Sequence, residues 1–208
     1  MTEPATIVLV RHGETQGESS IRYHGSTDVE LSDLGRRQMD AVRAALDARF
    51  AAAPGLVLAS PLRRALDGAR IVAGGACTVT PIEEFREIHF GLFEGLTAKE
   101  ISRRFPDEYR CWMRARGAPD FAFPAGESRR GFTARVERGL ERALRLVDRK
   151  TAPDAWTLIV AHRGVIRTIV RQLTGAEPAV ELGSIQILQR GSGWRATHLD
   201  LVDHLDSF

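Results

Sequence analysis

The chain has 208 residues, 43% of them hydrophobic, with 29 basic against 27 acidic side chains and a formal net charge of +2. That length and apolar content suffice for one substantial core, and the near balance of charge excludes a nucleic-acid or membrane-surface binder that works by long-range attraction. Two cysteines, Cys77 and Cys111, in no metal-ligand or redox spacing exclude a disulfide scaffold; without an apolar run near about 18 residues or a basic-then-apolar leader, neither a spanning helix nor a secretory signal is expected, and the cytoplasm is the expected compartment.

The first element is the apolar run of residues 7–10 inside "TIVLVRHGET", a short stretch with the character of a strand buried on both faces, ending abruptly on Arg11 and His12. After Ser32, a plausible helix N-cap, Met39, Val42, Leu46 and Phe50 recur at spacings of three and four until Pro54-Gly55 stops the pattern. A second buried strand is expected over residues 56–59, followed in "LASPLRRAL" by a turn through Pro61 and a helix with Ser60 as N-cap, so that Arg63 and Arg64 fall in the first helical turn. Residues 91–128 carry Phe93, Phe105, Trp112, Phe121 and Phe123 with mixed charge and no clean period; they read as an insertion, helical over 97–105, that covers something.

Beyond it, Phe132, Val136, Leu140, Leu144 and Val147 form one helical stripe, with Glu141 and Arg145 placed to pair on the wet face. Residues 158–161 repeat the buried-strand pattern and end on His162 in "AHRGVIR". Finally "SIQILQR" and "WRATHLDLV" alternate around "GSG" as an antiparallel hairpin. Alternating strands and helices predict an α/β fold: one three-layer domain over residues 1–208, with a mostly parallel central sheet, helices on both faces, an antiparallel C-terminal edge hairpin and a covering insertion.

Open α/β sheets bind ligands outside the carboxyl ends of their strands, where strand order reverses. His12 and His162 both stand at that location, and Arg11 with Arg63 or Arg64 adds fixed cations, which together predict a pocket for a dianion. A phosphate monoester is such a dianion, its second pKa being about 6. Guanidinium groups would answer its charge, each charge-assisted contact contributing roughly 1.5 to 3 kcal/mol, so that neutral imidazole could attack phosphorus. The leaving oxygen then needs a proton, and a carboxyl beside the incoming dianion is raised toward the useful range. Glu83, Glu84, Glu87 and Glu94 in "EEFREIHFGLFEG" are all candidates on these grounds.

"RHGET" at residues 11–15, "SPLRRA" at 60–65, "REIHFGLFEG" at 86–95 and "AHRGVIR" at 161–167 stand in the order of, and the chain thereby resembles, the histidine phosphatase superfamily, also called phosphoglycerate-mutase-like. "GSTDVELSDLGRRQ" and "PAGES" extend the resemblance across most of the chain. What the resemblance implies is a metal-independent phosphomonoester phosphatase that needs no cofactor. His12 would be the nucleophile that carries the phosphoryl group, Arg11, Arg64 and His162 would bind that group, and Glu87 would be the proton donor and then the base. Thr15, Arg22 and Gly25 complete the implied substrate-binding set, and Arg163 is a further candidate that either adds a substrate contact or points outward.

Three features depart from the family pattern, one of them "LDGA" after Arg64 in place of the usual polar helix start. Glu18 replaces an asparagine that contacts phosphate, and would repel the substrate unless it pairs, as with Arg22; Arg163 stands where many relatives have glycine. The short insertion favours a phosphatase over the alternatives, a cofactor-dependent phosphoglycerate mutase or a catalytically weak phosphate-binding module. A small-molecule phosphomonoester is the expected partner, with no nucleic acid and no membrane. Broad phosphomonoesterase, α-ribazole-phosphate phosphatase and sugar-phosphate phosphatase all remain open, and the hairpin edge leaves self-association open as well.

Overall fold

The computed structural model describes residues 4–17, 21–75, 77–115, 117–149 and 155–206. In chain order the strands are β1 (Ala5–Arg11), β2 (Leu56–Ala59), β3 (Val79–Pro81), β4 (Trp156–Ala161), β5 (Ile185–Arg190) and β6 (Trp194–Leu201). The helices are α1 (Asp33–Arg49), α2 (Arg63–Val72), α3 (Ala98–Arg104), α4 (Pro106–Arg114), α5 (Arg129–Asp148) and α6 (Arg163–Thr174). These strands form one sheet in the order β3-β2-β4-β1-β5-β6. The four on the β3 side run parallel, whereas β5 joins β1 antiparallel and continues into β6 through the Gly191–Gly193 turn. The expected α/β layering and the C-terminal hairpin are both present.

Strand pleat divides the core in two. Ile7 and Leu9 of β1 join Ile159 of β4 in a cluster with α5 and α6, while Val8 and Val10 join Leu158 and Val160 in a cluster with α1 and α2. Alternate side chains of one strand thus feed opposite faces, and both faces are dry, so the strand reads as a continuous apolar run. Helix α1 begins at Ser32, whose side chain accepts from the Gly35 amide at 3.0 Å. Helix α5 starts earlier than its apolar stripe, at Ser128, which caps the Gly131 amide in the same way.

One local expectation is corrected. Ser60 is not the cap of α2: Leu62 occupies that position without a side-chain cap bond, and the Ser60 hydroxyl instead meets His162. The amide of Arg63 at the start of α2 donates to Asp28 at 2.7 Å, so a carboxylate of the protein itself sits at that helix end. Strand β3 and helix α4 were not anticipated; β3 has three residues, one of them proline, and α4 opens with Pro106 directly after α3 has ended at Phe105. Residues 91–115 and 117–128 pack through an aromatic cluster in which Trp112 meets Tyr23, Phe93 and Phe123 edge-on or tilted at 5.3 to 6.2 Å.

Candidate active site

Strand β1 leads through α1 toward one edge of the sheet, and β4 leads through α6 toward the other, so the crevice between their carboxyl ends is a topological switch point. The ladder extends one residue past both strands. The His12 amide donates to Ala161 at 3.1 Å and the Ser60 amide to Val160 at 3.0 Å, which brings His12, Ser60 and His162 to one end of the sheet. The imidazoles of His12 and His162 meet nearly edge to face, with centroids 5.1 Å apart, and both are buried.

Hydrogen bonds define the tautomer of His12. Its Nδ1 lies 2.7 Å from the Gly13 carbonyl, which can only accept, and its Nε2 lies 3.2 Å from Arg64 Nε, which can only donate. Imidazole is therefore neutral, with the proton on Nδ1 and the lone pair on Nε2. Burial is the chief cause that holds the His12 pKa well below its usual value, followed by the positive charges of Arg64 and Arg11. His162 is lowered in the same direction, first by burial and then by Arg64. Its Nε2 is 2.7 Å from Ser60 Oγ, while its Nδ1 is buried with no partner.

Arg64 is fully buried and is held by backbone carbonyls: Nη1 donates to Thr27 at 2.7 Å, and Nη2 to Gly25 at 2.6 Å and His24 at 3.1 Å. Arg11 donates from Nη1 to the Val180 carbonyl at 3.0 Å, and its buried Nε is unpartnered. Burial lowers both guanidinium pKa values to about 10, against the nearby carboxylate of Glu87, so both stay charged at neutral pH. The Arg11 support is itself clamped, because Asp200 of β6 accepts from the Ala179 and Val180 amides at 2.8 Å each. Arg63, by contrast, turns outward to Glu30.

Glu87 is buried, with Oε1 accepting from the Ile88 amide at 3.0 Å and Oε2 from the Gly164 amide at 2.9 Å. A Cβ at 164 would come within 2.5 Å of Glu87 Oε1, so any side chain there displaces the carboxylate. The other candidate acids lie elsewhere. Glu83 pairs with Arg86 at the surface, and Glu84 stands 3.5 Å from Arg142. Glu94 accepts from the amides of Gly25, Ser26, Thr27 and Phe90 at 2.8 to 3.2 Å and from the Thr27 hydroxyl. These bonds outweigh burial and hold its pKa below the usual value. Glu94 therefore fixes the loop whose carbonyls hold Arg64, a role no local motif announces because its partners lie almost 70 residues away.

A cavity of about 270 Å³ is lined by Arg11, His12, Thr15, Arg22, Arg64, Glu87, His162 and Arg163, together with Ile21, Tyr23, His24 and Phe90. Of the expected substrate-binding residues, Gly25 alone is not in this lining; it supports Arg64 from behind, and a Cβ on it would meet the Ile88 carbonyl at 2.1 Å. Arg22 pairs with Glu100 at 2.6 Å, the carboxylate that also completes the capping box of α3. Glu18 lies outside the described residues. Tyr23, His24 and Phe90 were not foreseen; they join through loop packing rather than through a strand end. Among the described residues no three His, Cys, Asp or Glu side chains gather as a metal-ligand set, and no helix is long and apolar enough to cross a membrane.

The fold and its crevice define the class: an α/β protein with a histidine-centred, doubly guanidinium-lined anion pocket. A family model for the histidine phosphatase superfamily, branch 1, matches residues 7–192, and the chain belongs to that superfamily. It is 35% identical over 178 residues to a glucosyl-3-phosphoglycerate phosphatase of Mycolicibacterium vanbaalenii, covering 81% of this chain and 74% of the relative. Similarity to a metal-independent phosphoserine phosphatase of Arabidopsis thaliana is 29% over 211 residues, covering 99% and 85%. The chain spans about half, 49%, of a bifunctional protein of Mycobacterium tuberculosis that is 32% identical to it.

Among solved structures, the α-ribazole phosphatase of Shigella flexneri is similar with TM-score 0.80 at 27% identity, covering 94% of this chain and 96% of that one. A mycobacterial glucosyl-3-phosphoglycerate phosphatase in complex with VO3 is similar with TM-score 0.78 at 30% identity, covering 95% and 100%. The chain is an enzyme of the phosphatase class.

Proposed function

We propose that the protein hydrolyses a small phosphomonoester without a metal ion, through a phosphohistidine on His12. One observation carries this reading: a neutral imidazole presents its Nε2 lone pair in a buried pocket beside two charged guanidiniums. Nucleophile and dianion thus meet without mutual repulsion, because the imidazole carries no charge and Arg11 and Arg64 answer that of the phosphate. The relatives' names, which include a glucosyl-3-phosphoglycerate and a phosphoserine phosphatase, support a small phosphorylated metabolite as substrate. The reading treats residues 1–208 as one domain with 91–128 as its cover.

In the first half-reaction, His12 Nε2 forms a bond to phosphorus as the ester P–O bond breaks. The Glu87 carboxyl gives its proton to the departing oxygen, releasing the alcohol. In the second, Glu87 carboxylate takes a proton from water, whose oxygen bonds to phosphorus as the P–N bond breaks. Phosphate leaves, and both residues return to their starting states. His162 would bind a phosphoryl oxygen through Nδ1–H, the tautomer in which Ser60 donates to Nε2; Thr15, Arg22 and Arg163 would line the approach.

Rapid acid quench with a ³²P-labelled phosphomonoester tests the reading. Acid-labile radioactivity should appear on the protein and be lost in His12→Ala together with turnover. Turnover that persists in that variant would overturn it, as would phosphoglycerate interconversion that outpaces hydrolysis. Glu87→Gln should retain the fold and lower kcat by about 10²- to 10⁴-fold, the usual worth of a positioned acid and base.

A further inference from the structure

A second cavity, of about 540 Å³, adjoins the phosphoryl pocket, and Glu87, Phe90 and Arg163 line both. The remaining wall is aromatic, formed by Trp112 and Phe123 from the cover and Phe132 from α5, all buried. The rim is cationic, with Arg129, Arg167 and Arg171 beside Arg163. Glu177 pairs with Arg171 at 2.9 Å and stands 3.6 Å from Arg167, so one carboxylate faces two of these arginines. Arg163 engages the Ala179 carbonyl through Nε alone.

We infer that this second cavity receives the alcohol portion of the substrate, and that this portion is a flat apolar body carrying an acidic group such as a carboxylate. The inference rests on the phosphatase reading, because Glu87 is its hinge. A proton donor must reach the ester oxygen, and Glu87 stands between the two cavities. With phosphorus on the His12 side, the carbon attached to that oxygen projects to the other side. The volume falls in the range usual for ligand sites, and aromatic walls with a few placed donors suit an unsaturated ring. The arginine rim calls for an anionic group on that ring. A polyhydroxylated body fits poorly, since the wall offers few acceptors and Thr168, one of its hydroxyls, is already bonded to the Gly164 carbonyl at 2.9 Å.

Three primary-alcohol esters of closely similar leaving group separate these contributions: ethyl phosphate, 2-phenylethyl phosphate and 2-(4-carboxyphenyl)ethyl phosphate. kcat/KM should rise by about tenfold at each step, first from ring burial and then from the charge-assisted contacts. Arg167→Gln should collapse the second step, and Trp112→Leu, which removes an aromatic wall, should reduce the first. Calorimetry with the three matching phosphonates and the unaltered protein should give the same ranking of affinity. Equal kcat/KM and equal affinity across the series would overturn the subsite and leave the phosphatase reading intact, as would a preference for glucose 6-phosphate over the carboxylated ester. Retained affinity ranking with no hydrolysis of any ester would support the subsite and overturn the phosphatase reading.

Discussion

Arg64 makes four hydrogen bonds before any substrate arrives, three to carbonyls of the 24–27 loop and one to the His12 lone pair. Its charge is thereby placed rather than merely present, and the loop that places it hangs on Glu94. Glu94→Gln should therefore cost about 1–3 kcal/mol in a urea titration, because an amide N–H₂ would face donors that now find an acceptor. It should also lower kcat/KM more than Thr97→Ala, which disturbs a cap of α3 and not the Arg64 cradle.

Acid sensitivity belongs to the same scale. The folded pKa values of His12 and His162 are depressed, so the unfolded chain binds protons that the folded one refuses. The stability tied to their neutrality is complete above about pH 6.5 and declines as pH falls below it, by up to about 1.4 kcal/mol per pH unit for each histidine. Urea midpoints at pH 7.5 and 5.5 should show this loss, and His162→Gln should reduce its slope by about half. A slope unaltered by the substitution would contradict the assignment. These consequences were hidden in the sequence, where Glu94 was one of four equivalent carboxylates and Ser60 looked like a helix cap. The inference from a local pattern reaches only local partners, whereas Ser60 meets a histidine 102 residues away.

At the level of elements, α6 holds Glu87 through its first-turn backbone, and α5 braces the segment that carries Glu87 through one arginine. The first turn of α6 approaches Glu87 so closely that Gly164→Ala should push the carboxylate aside, lowering kcat by about tenfold or more while far-ultraviolet circular dichroism stays unchanged. On α5, Arg135 grips both oxygens of Glu127 at 2.7 and 3.0 Å and the carbonyls of Glu84 and Arg86 at 2.8 and 2.9 Å. It joins the cover to the segment that ends on Glu87. Arg135→Ala should make residues 117–128 more susceptible to limited proteolysis and lower turnover in parallel. The elements themselves were largely legible: β1, β2 and β4 are dry on both faces, so their apolar runs needed no periodicity to stand out, and α1 and α5 carry clean stripes. The cover was not, because its order comes from aromatic rings meeting across the 91–93 turn, α4 and the 117–128 loop rather than from any repeat along the chain.

Across the whole molecule, the pocket draws on both halves of the chain. Arg11 is steadied by Val180, Val180 by Asp200, and Asp200 belongs to the last strand. Asp200→Ala should consequently raise KM severalfold through Arg11, with less effect on kcat, although it lies on the far edge of the sheet; steady-state kinetics on a single substrate would show it. Strand β1 itself is flanked by β4 and β5. In a cell that arrangement acquires a meaning in time. A ribosome makes the nucleophile's strand well before either of its neighbours, with residues 12 and 190 separated by roughly ten to forty seconds of synthesis at ordinary elongation rates. Until β4, His162 and β5 have been made, the reactive imidazole lacks its partner histidine and a strand on each side, so the nascent chain is an inactive precursor until those later segments have paired with β1.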